Sequence, residues 1–151
     1  MSYRIRGARK IFEELFDEYR RIIYEYNSKI KDTGFYLKPA HIVYKTVNGV
    51  RRKYYYFGRY WWQIWIKGRR GTTTLVKWTY YGSRMPYLEK LLKNPPPVTP
   101  FDGISYAVEG DDVIITQENY EKLRPLLEKR GIKLKPEPDV YRPRQMRQNE
   151  K

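Results

Sequence analysis

The chain has 151 residues and no cysteine, so it can bury a sizeable core, and disulfides and thiolate metal sites are excluded. Its net charge of +14, from 31 Lys and Arg against 17 Asp and Glu, favours polyanionic partners and makes nucleic acid the first candidate. The first residues lack the apolar run of a signal peptide, and no stretch approaches about 18 apolar residues, so we expect neither secretion nor a membrane partner.

An amphipathic helix is predicted over 8–31, because apolar side chains recur there at intervals of three and four residues. Asp32-Thr33-Gly34 should end it. We expect its apolar stripe to face the core and not a partner. The stripe consists of Ile11, Phe12, Leu15, Phe16, Tyr19, Ile22, Ile23, Tyr26 and Ile30.

A β-hairpin is predicted over 41–57, since Asn48-Gly49 separates two β-rich runs and favours a two-residue type I′ turn. A bend at Gly58 leads into a strand over 59–67, and a second strand returns over 72–81 after a glycine-flanked arginine pair. We expect these strands to form a central antiparallel sheet.

Alternation along 59–67 predicts which side chains share a face. One face would carry Trp61, Trp65 and Lys67, and it is the candidate nucleic-acid surface. Alternation does not tell which face the first helix covers. The inverted arrangement would instead expose Tyr60, Trp62 and Val76.

Beyond the sheet, the sequence predicts a short helix over 86–93 and a stiff proline-rich linker over 94–100. Two short strands follow over 104–108 and 113–115, and a helix over 117–130. This last helix should begin at its cap Thr116 and end at Gly131, with Pro125 kinking or splitting it.

The fold class expected from these elements is α+β: an N-terminal helix packed on a central antiparallel sheet, followed by a small strand-and-helix element. The boundaries expected are 1–94 for the helix and basic aromatic sheet, 95–132 for the strand-and-helix element, and 133–151 for a basic, extended tail. Two alternatives remain for this tail: a basic arm that extends along a groove or to a neighbouring subunit, and a solvated, frayed end.

The positive charge is concentrated between Thr33 and Leu88, a block with eleven Lys and Arg and no Asp or Glu. The same block holds all four tryptophans and nine of the sixteen tyrosines. Interleaved cations and flat rings suit a surface that neutralises phosphates while it stacks on bases or wedges between them. An ordinary sheet core with solvated charges explains part of the aromatic content, but not the missing carboxylates.

The sequence offers only weak signals for a catalytic site. A small Mg²⁺-dependent nuclease would need clustered carboxylates, and the chain offers Asp102, Glu109, Asp111, Asp112 and Glu118. His41 is the only histidine, so paired-histidine metal sites are excluded within one chain. We expect no catalytic residues, no metal and no cofactor, and a binding or structural protein more than an enzyme.

Residues 58–86, which run from Gly58-Arg-Tyr-Trp-Trp to Lys77-Trp-Thr-Tyr-Tyr-Gly82 and on to Pro86, resemble a strand-turn-strand module of uncharacterised archaeal and phage proteins. In general plan this stretch is also similar to the DNA-binding sheets of phage integrase arm-binding domains and of small crenarchaeal chromatin proteins. The resemblance covers about thirty residues of the 151 and implies DNA binding without assigning roles to residues.

The function predicted is sequence-tolerant binding of nucleic acid, DNA more than RNA, in packaging, chromatin organisation or regulation. A structural role in a virion or ribonucleoprotein and the nuclease remain alternatives, and a homo-oligomer is left open. The composition suits a hyperthermophilic archaeon or its virus, with the protein nucleoid-associated in the cytoplasm or in the virion. The predicted contact residues are Arg51, Lys53, Arg59, Trp61, Trp65, Lys67, Arg69, Arg70, Lys77 and Tyr81.

Overall fold

The structure is a computed structural model, and it describes residues 1–139. Most of the expected tail, residues 140–151, therefore lies outside the described residues. The helices are α1 (Arg9–Ile30), α2 (Glu89–Lys93) and α3 (Gln117–Lys129). The strands are β1 (Ser2–Ile5), β2 (Phe35–Lys38), β3 (His41–Val47), β4 (Val50–Tyr56), β5 (Tyr60–Arg70), β6 (Thr73–Gly82), β7 (Ser105–Glu109), β8 (Asp112–Thr116) and β9 (Glu137–Pro138).

The α+β class is confirmed, and the strands form two antiparallel sheets. The central strands are divided between them, because β3 and β4 lie in a six-stranded sheet whereas β5 and β6 lie in a three-stranded one. The chain forms two compact units, and α1 contributes residues to both. Among the described residues, the first unit comprises Met1–Leu15, Ile42–Tyr56 and residues 104–139, and the second comprises Phe16–His41 and Phe57–Gly103.

The sheet of the first unit has the strand order β3-β4-β7-β8-β1-β9. Its pairings join distant parts of the chain, with Tyr55 opposite Tyr106 and Tyr3 opposite Ile115. The rings of Tyr55 and Tyr106 stack at a centroid distance of 4.9 Å. The two strands after the proline linker thus belong to the same sheet as the predicted hairpin. The strand β1 was not predicted.

The sheet of the second unit has the order β2-β5-β6, and β2 was not predicted. Trp61 is its largest fully buried side chain and meets Tyr26 of α1 edge to face, with centroids 6.4 Å apart. Phe57 packs between Tyr19 and Phe101 at 5.3 and 5.2 Å. Aromatic rings therefore make much of this core, as expected where large flat side chains fill the space between a helix and a sheet.

Local sequence rules account for the helix ends and the tightest turn. The structure gives Asn48 and Gly49 positive φ values of 53° and 78°, as a type I′ turn requires. Thr116 caps α3 by accepting a hydrogen bond from the Asn119 backbone N–H at 3.2 Å. The helix runs through Pro125 without splitting and ends at Lys129, followed by its cap Arg130 and by Gly131, whose φ is 70°.

Within residues 1–139, no helix combines the length and the hydropathy that crossing a membrane would need.

Candidate nucleic-acid interface

At the far end of the β5-β6 hairpin, every residue from Trp65 to Tyr81 except Gly68 is exposed. The strand β2 pairs with β5 only from Tyr60 to Gln63, so the hairpin continues beyond it as a ribbon of two strands. We call residues 64–79 the ribbon. About seven residues of β5 extend past β2, a length of roughly 23 Å at 3.3 Å per residue. A two-stranded element of this kind has no core of its own.

At its three-stranded base, the hairpin buries the face that sequence alternation favoured as the interface. Leu37 and Trp61 are opposite each other on this face, and Trp61 is only 1% exposed. The backbone of Leu37 also bonds to the buried Asn27 of α1. The prediction that Trp61 stacks on nucleic acid is therefore wrong, because the helix covers the side of the sheet that this residue faces.

The opposite face of the same sheet is open and aromatic. Trp62 meets Tyr80 edge to face at 5.4 Å, and Tyr36 meets Trp78 at 5.2 Å. The Lys38 ammonium lies 5.9 Å from the Trp62 ring centre. We call these five residues the aromatic face, and it corresponds to the inverted arrangement that alternation left open. Tyr36 and Lys38 lie on strand β2, which was not predicted from the sequence. Alternation along the predicted strands therefore could not place them on this face.

The tyrosine at the edge of this face stays protonated at neutral pH. Burial, followed by the neighbouring Tyr24 and its hydrogen bond, raises the pKa of Tyr36 to about 12. A protonated phenol carries no charge to repel a phosphate. A pocket of about 300 Å³ is lined by three residues of the aromatic face, Lys38, Trp62 and Tyr80, together with His41 and Tyr60.

Register assigns the ribbon side chains to two faces. Ile64 is opposite Trp78 and Ile66 is opposite Val76, so these pairs continue the aromatic face outward. Trp65 is opposite Lys77 on the other face. Both members of this second pair are exposed, as predicted for them.

Four cations of the ribbon are exposed and have no carboxylate partner among residues 1–139. Uncompensated cations close together on one projecting element attract phosphate groups and release the counterions bound there. All four belong to the predicted set. They are Lys67, Arg69, Arg70 and Lys77.

Two further residues of the predicted set make contacts within the second unit. The Arg59 guanidinium donates to the Pro97 carbonyl at 3.0 Å and to the Asp102 carboxylate at 3.1 Å. The Arg59 charge is thus already neutralised by Asp102, so Arg59 does not belong to the candidate interface. Tyr81 is half exposed but leans edge to face on Phe35 at 5.2 Å.

The last two predicted cations belong to the first unit, on the β3-β4 hairpin. The Arg51 guanidinium lies 4.4 Å from the ring centre of Tyr44, a distance at which cation and ring attract each other. Lys53 approaches the rings of Tyr44 and Tyr55 at 5.9 and 4.9 Å. A hydrogen bond with the Tyr55 side chain raises the Lys53 pKa, so this lysine is charged at neutral pH. The first unit therefore carries a second patch of aromatic and basic side chains.

The carboxylates of the nuclease alternative are engaged by cations. Arg4 donates to Asp112 at 2.9 Å, to Asp139 at 3.0 Å and to Glu109 at 3.2 Å. Arg52 also bonds to Glu109. Burial alone would raise the Glu109 pKa, but the hydrogen bonds and charges of Arg52 and Arg4 outweigh it and lower that pKa.

The remaining carboxylates of that set are separately engaged, because Asp102 pairs with Arg59, Asp111 with Arg9 and Glu118 with Lys122. Among residues 1–139, no three His, Asp or Glu side chains come together as a metal would require. The geometry gives the nuclease alternative no support.

Comparison of the chain with models of protein families, with curated proteins and with solved structures finds no match.

Proposed function

We propose that this protein binds double-stranded DNA through the ribbon and the adjoining aromatic face, with little dependence on base sequence. The observation that carries the proposal is the contrast between two groups of arginines. Arg52 and Arg59 are held by carboxylates, whereas Arg69 and Arg70 project at the end of the ribbon with no such partner on the described chain. The first pair stabilises the fold, and the second is available to phosphates.

The shape of the ribbon favours duplex DNA over duplex RNA. Grooves of B-form DNA admit a two-stranded β-ribbon. A-form RNA has a major groove too deep and narrow for side chains to read and a minor groove that is wide and shallow. A two-stranded ribbon with exposed faces therefore fits a groove of DNA better than a groove of duplex RNA.

Low sequence dependence follows from the side chains on the ribbon. Direct readout relies on bidentate Asn, Gln and Arg contacts to base edges. The face that continues the aromatic face carries Ile64, Ile66, Val76 and Trp78, which offer almost no hydrogen-bonding pattern for a base edge to match. Contacts to phosphate supply affinity without sequence information.

The test is a titration by fluorescence anisotropy with DNA and RNA duplexes of equal length and sequence, repeated over a salt series. Binding to DNA should weaken steeply as salt rises, and the RNA duplex should bind less tightly at every salt concentration. Duplexes of unrelated sequence should bind within a few-fold of one another. Failure to bind DNA at low salt would refute the proposal.

A second candidate, a structural role in a larger assembly, is favoured by one observation. The strand β6 is the last strand of its sheet, so its outer edge has no partner strand within residues 1–139. Free edges of this kind pair with other chains. Sedimentation without nucleic acid distinguishes the two, because the structural role requires concentration-dependent assembly, whereas DNA binding does not.

A further inference from the structure

We infer that Ile66 and Val76 form an apolar wedge that enters between adjacent base pairs and bends the DNA. This inference rests on the proposed function and adds to it a mode of docking and a mechanical effect on the ligand. The feature behind it is one cross-strand pair of aliphatic residues in an exposed, strongly basic element.

Ile66 and Val76 are directly opposite each other on the ribbon, on the face that continues the aromatic face. Ile66 is 76% exposed and Val76 is 46% exposed. Both are β-branched, and such side chains are stiff at χ1. The pair therefore presents a firm aliphatic ridge to solvent.

Cations lie near this ridge on both faces of the ribbon. Arg69 lies opposite Thr74, two register positions beyond the pair and on the same face. Lys67 follows Ile66 at the register shift, and Lys77 follows Val76 on the other face, opposite Trp65. A register shift between Ile66 and Gly68 marks a bulge at the ridge itself, and bulges increase local strand twist. The ridge thus lies next to an irregularity in the strand pairing and close to the cations of the ribbon.

Charge complementarity indicates which partner binds this ridge. The ribbon and the rest of the block from Thr33 to Leu88 contain no acidic residue, so the same block of a second copy would be repelled. DNA attracts the cations and also has an apolar interior between its stacked bases. Aliphatic wedges that enter a base step pay for unstacking with the contacts that a bent duplex permits.

The experiment measures DNA bending with a duplex of about 30 base pairs that carries a donor and an acceptor dye at its ends. Such a duplex is nearly straight alone, since the persistence length is about 150 base pairs. The full chain should increase energy transfer at saturation. The double variant Ile66→Ser with Val76→Thr should bind with the same salt slope but lose most of this increase.

Leu75→Ser is the matched control, because Leu75 is 41% exposed but lies on the other face of the ribbon. It should leave the bend unchanged. A duplex with a central mismatch, which is easier to unstack, should bind the natural chain about tenfold more tightly than the matched duplex. The double variant should lose that preference. Thermal melts of all variants establish that each is folded.

The outcomes separate the two proposals. Binding without bending, or bending that survives the double variant, refutes the wedge and leaves the proposed function standing. No binding to any duplex at low salt refutes the proposed function and the wedge with it. Binding to vesicles of anionic lipid that depends on Ile66 and Val76, without DNA bending, also overturns the inference, since the ridge would then serve a lipid surface.

Discussion

Asn27 and Leu37 are joined by two hydrogen bonds that fasten α1 to β2. The Leu37 backbone N–H donates to Asn27 Oδ1 at 2.8 Å, and Asn27 Nδ2 donates to the Leu37 carbonyl at 2.8 Å. Both groups are buried, so the amide replaces a neighbouring strand at this edge of the sheet. The base of the hairpin is positioned by this pairing.

Asn27→Ala should therefore lower the free energy of unfolding by about 2 kcal/mol, because it leaves a buried donor and a buried acceptor of Leu37 without partners. Urea denaturation measures this change. Ser28→Ala, the next residue on the exposed side of α1, is the control and should change stability by less than about 0.5 kcal/mol. Equal effects of the two variants would show that the amide has no special role.

The arginine pair of the ribbon should dominate affinity for DNA. Arg69→Ala with Arg70→Ala should reduce the salt slope by about two counterions and weaken binding by about tenfold or more at moderate salt. Arg20→Ala with Arg21→Ala is matched in charge and also removes two adjacent arginines, one of which pairs with Asp17 on α1. Anisotropy titrations should show a much smaller loss for this control. A similar loss in both would mean that net charge alone determines binding.

Substitution of two tryptophans on β5, Trp61 and Trp65, should have opposite effects on stability and on DNA binding. Trp61→Ala empties a buried site and should cost about 3–5 kcal/mol of stability, whereas Trp65→Ala should cost about 0.5 kcal/mol or less. Trp65→Ala should weaken DNA binding instead, because this ring is exposed beside Lys77. Urea denaturation and anisotropy titrations together measure both effects. A loss of affinity without a loss of stability in Trp61→Ala would contradict the assignment of faces.

The cluster of Arg4, Arg52, Glu109 and Asp112 predicts the acid response of the first unit. For both carboxylates, burial raises the pKa but is outweighed. Arg52 and Arg4 lower the pKa of Glu109, and the Gly7 N–H and Arg4 lower that of Asp112. Their stabilisation is complete above the unfolded pKa values of about 4.3 and 3.9, and it is lost as pH falls through the lower folded values.

Glu109→Gln should therefore lower stability by about 1–3 kcal/mol at pH 7 and flatten the dependence of stability on pH below about pH 4. Guanidinium denaturation at several pH values measures both effects. Glu118→Gln, on the exposed start of α3, is the control and should leave the acid limb of the curve unchanged. An unchanged acid limb in Glu109→Gln would refute the role of this ion-pair cluster.

Local patterns in the sequence identified the elements whose physics is local. The period of the apolar stripe predicted α1, Asn48-Gly49 predicted the tight hairpin, and Thr116 with Gly131 predicted the ends of α3. The strands β1 and β2 escaped prediction because each is four residues long and takes its stability from distant partners. For β2 these partners are Asn27 and the strand from Tyr60 to Gln63.

The sequence by itself determined that a block without carboxylates carries eleven cations among its aromatic rings, and that this block is built of hairpins. Only the tertiary structure decided which cations are free and which face is open. Alternation divides side chains between two faces of a strand but does not tell which face is buried. Whether Trp61 or Trp62 is exposed is decided by α1, which covers the face of Trp61. Likewise Arg59 and Arg69 look alike along the chain, and only the presence of Asp102 beside Arg59 distinguishes them.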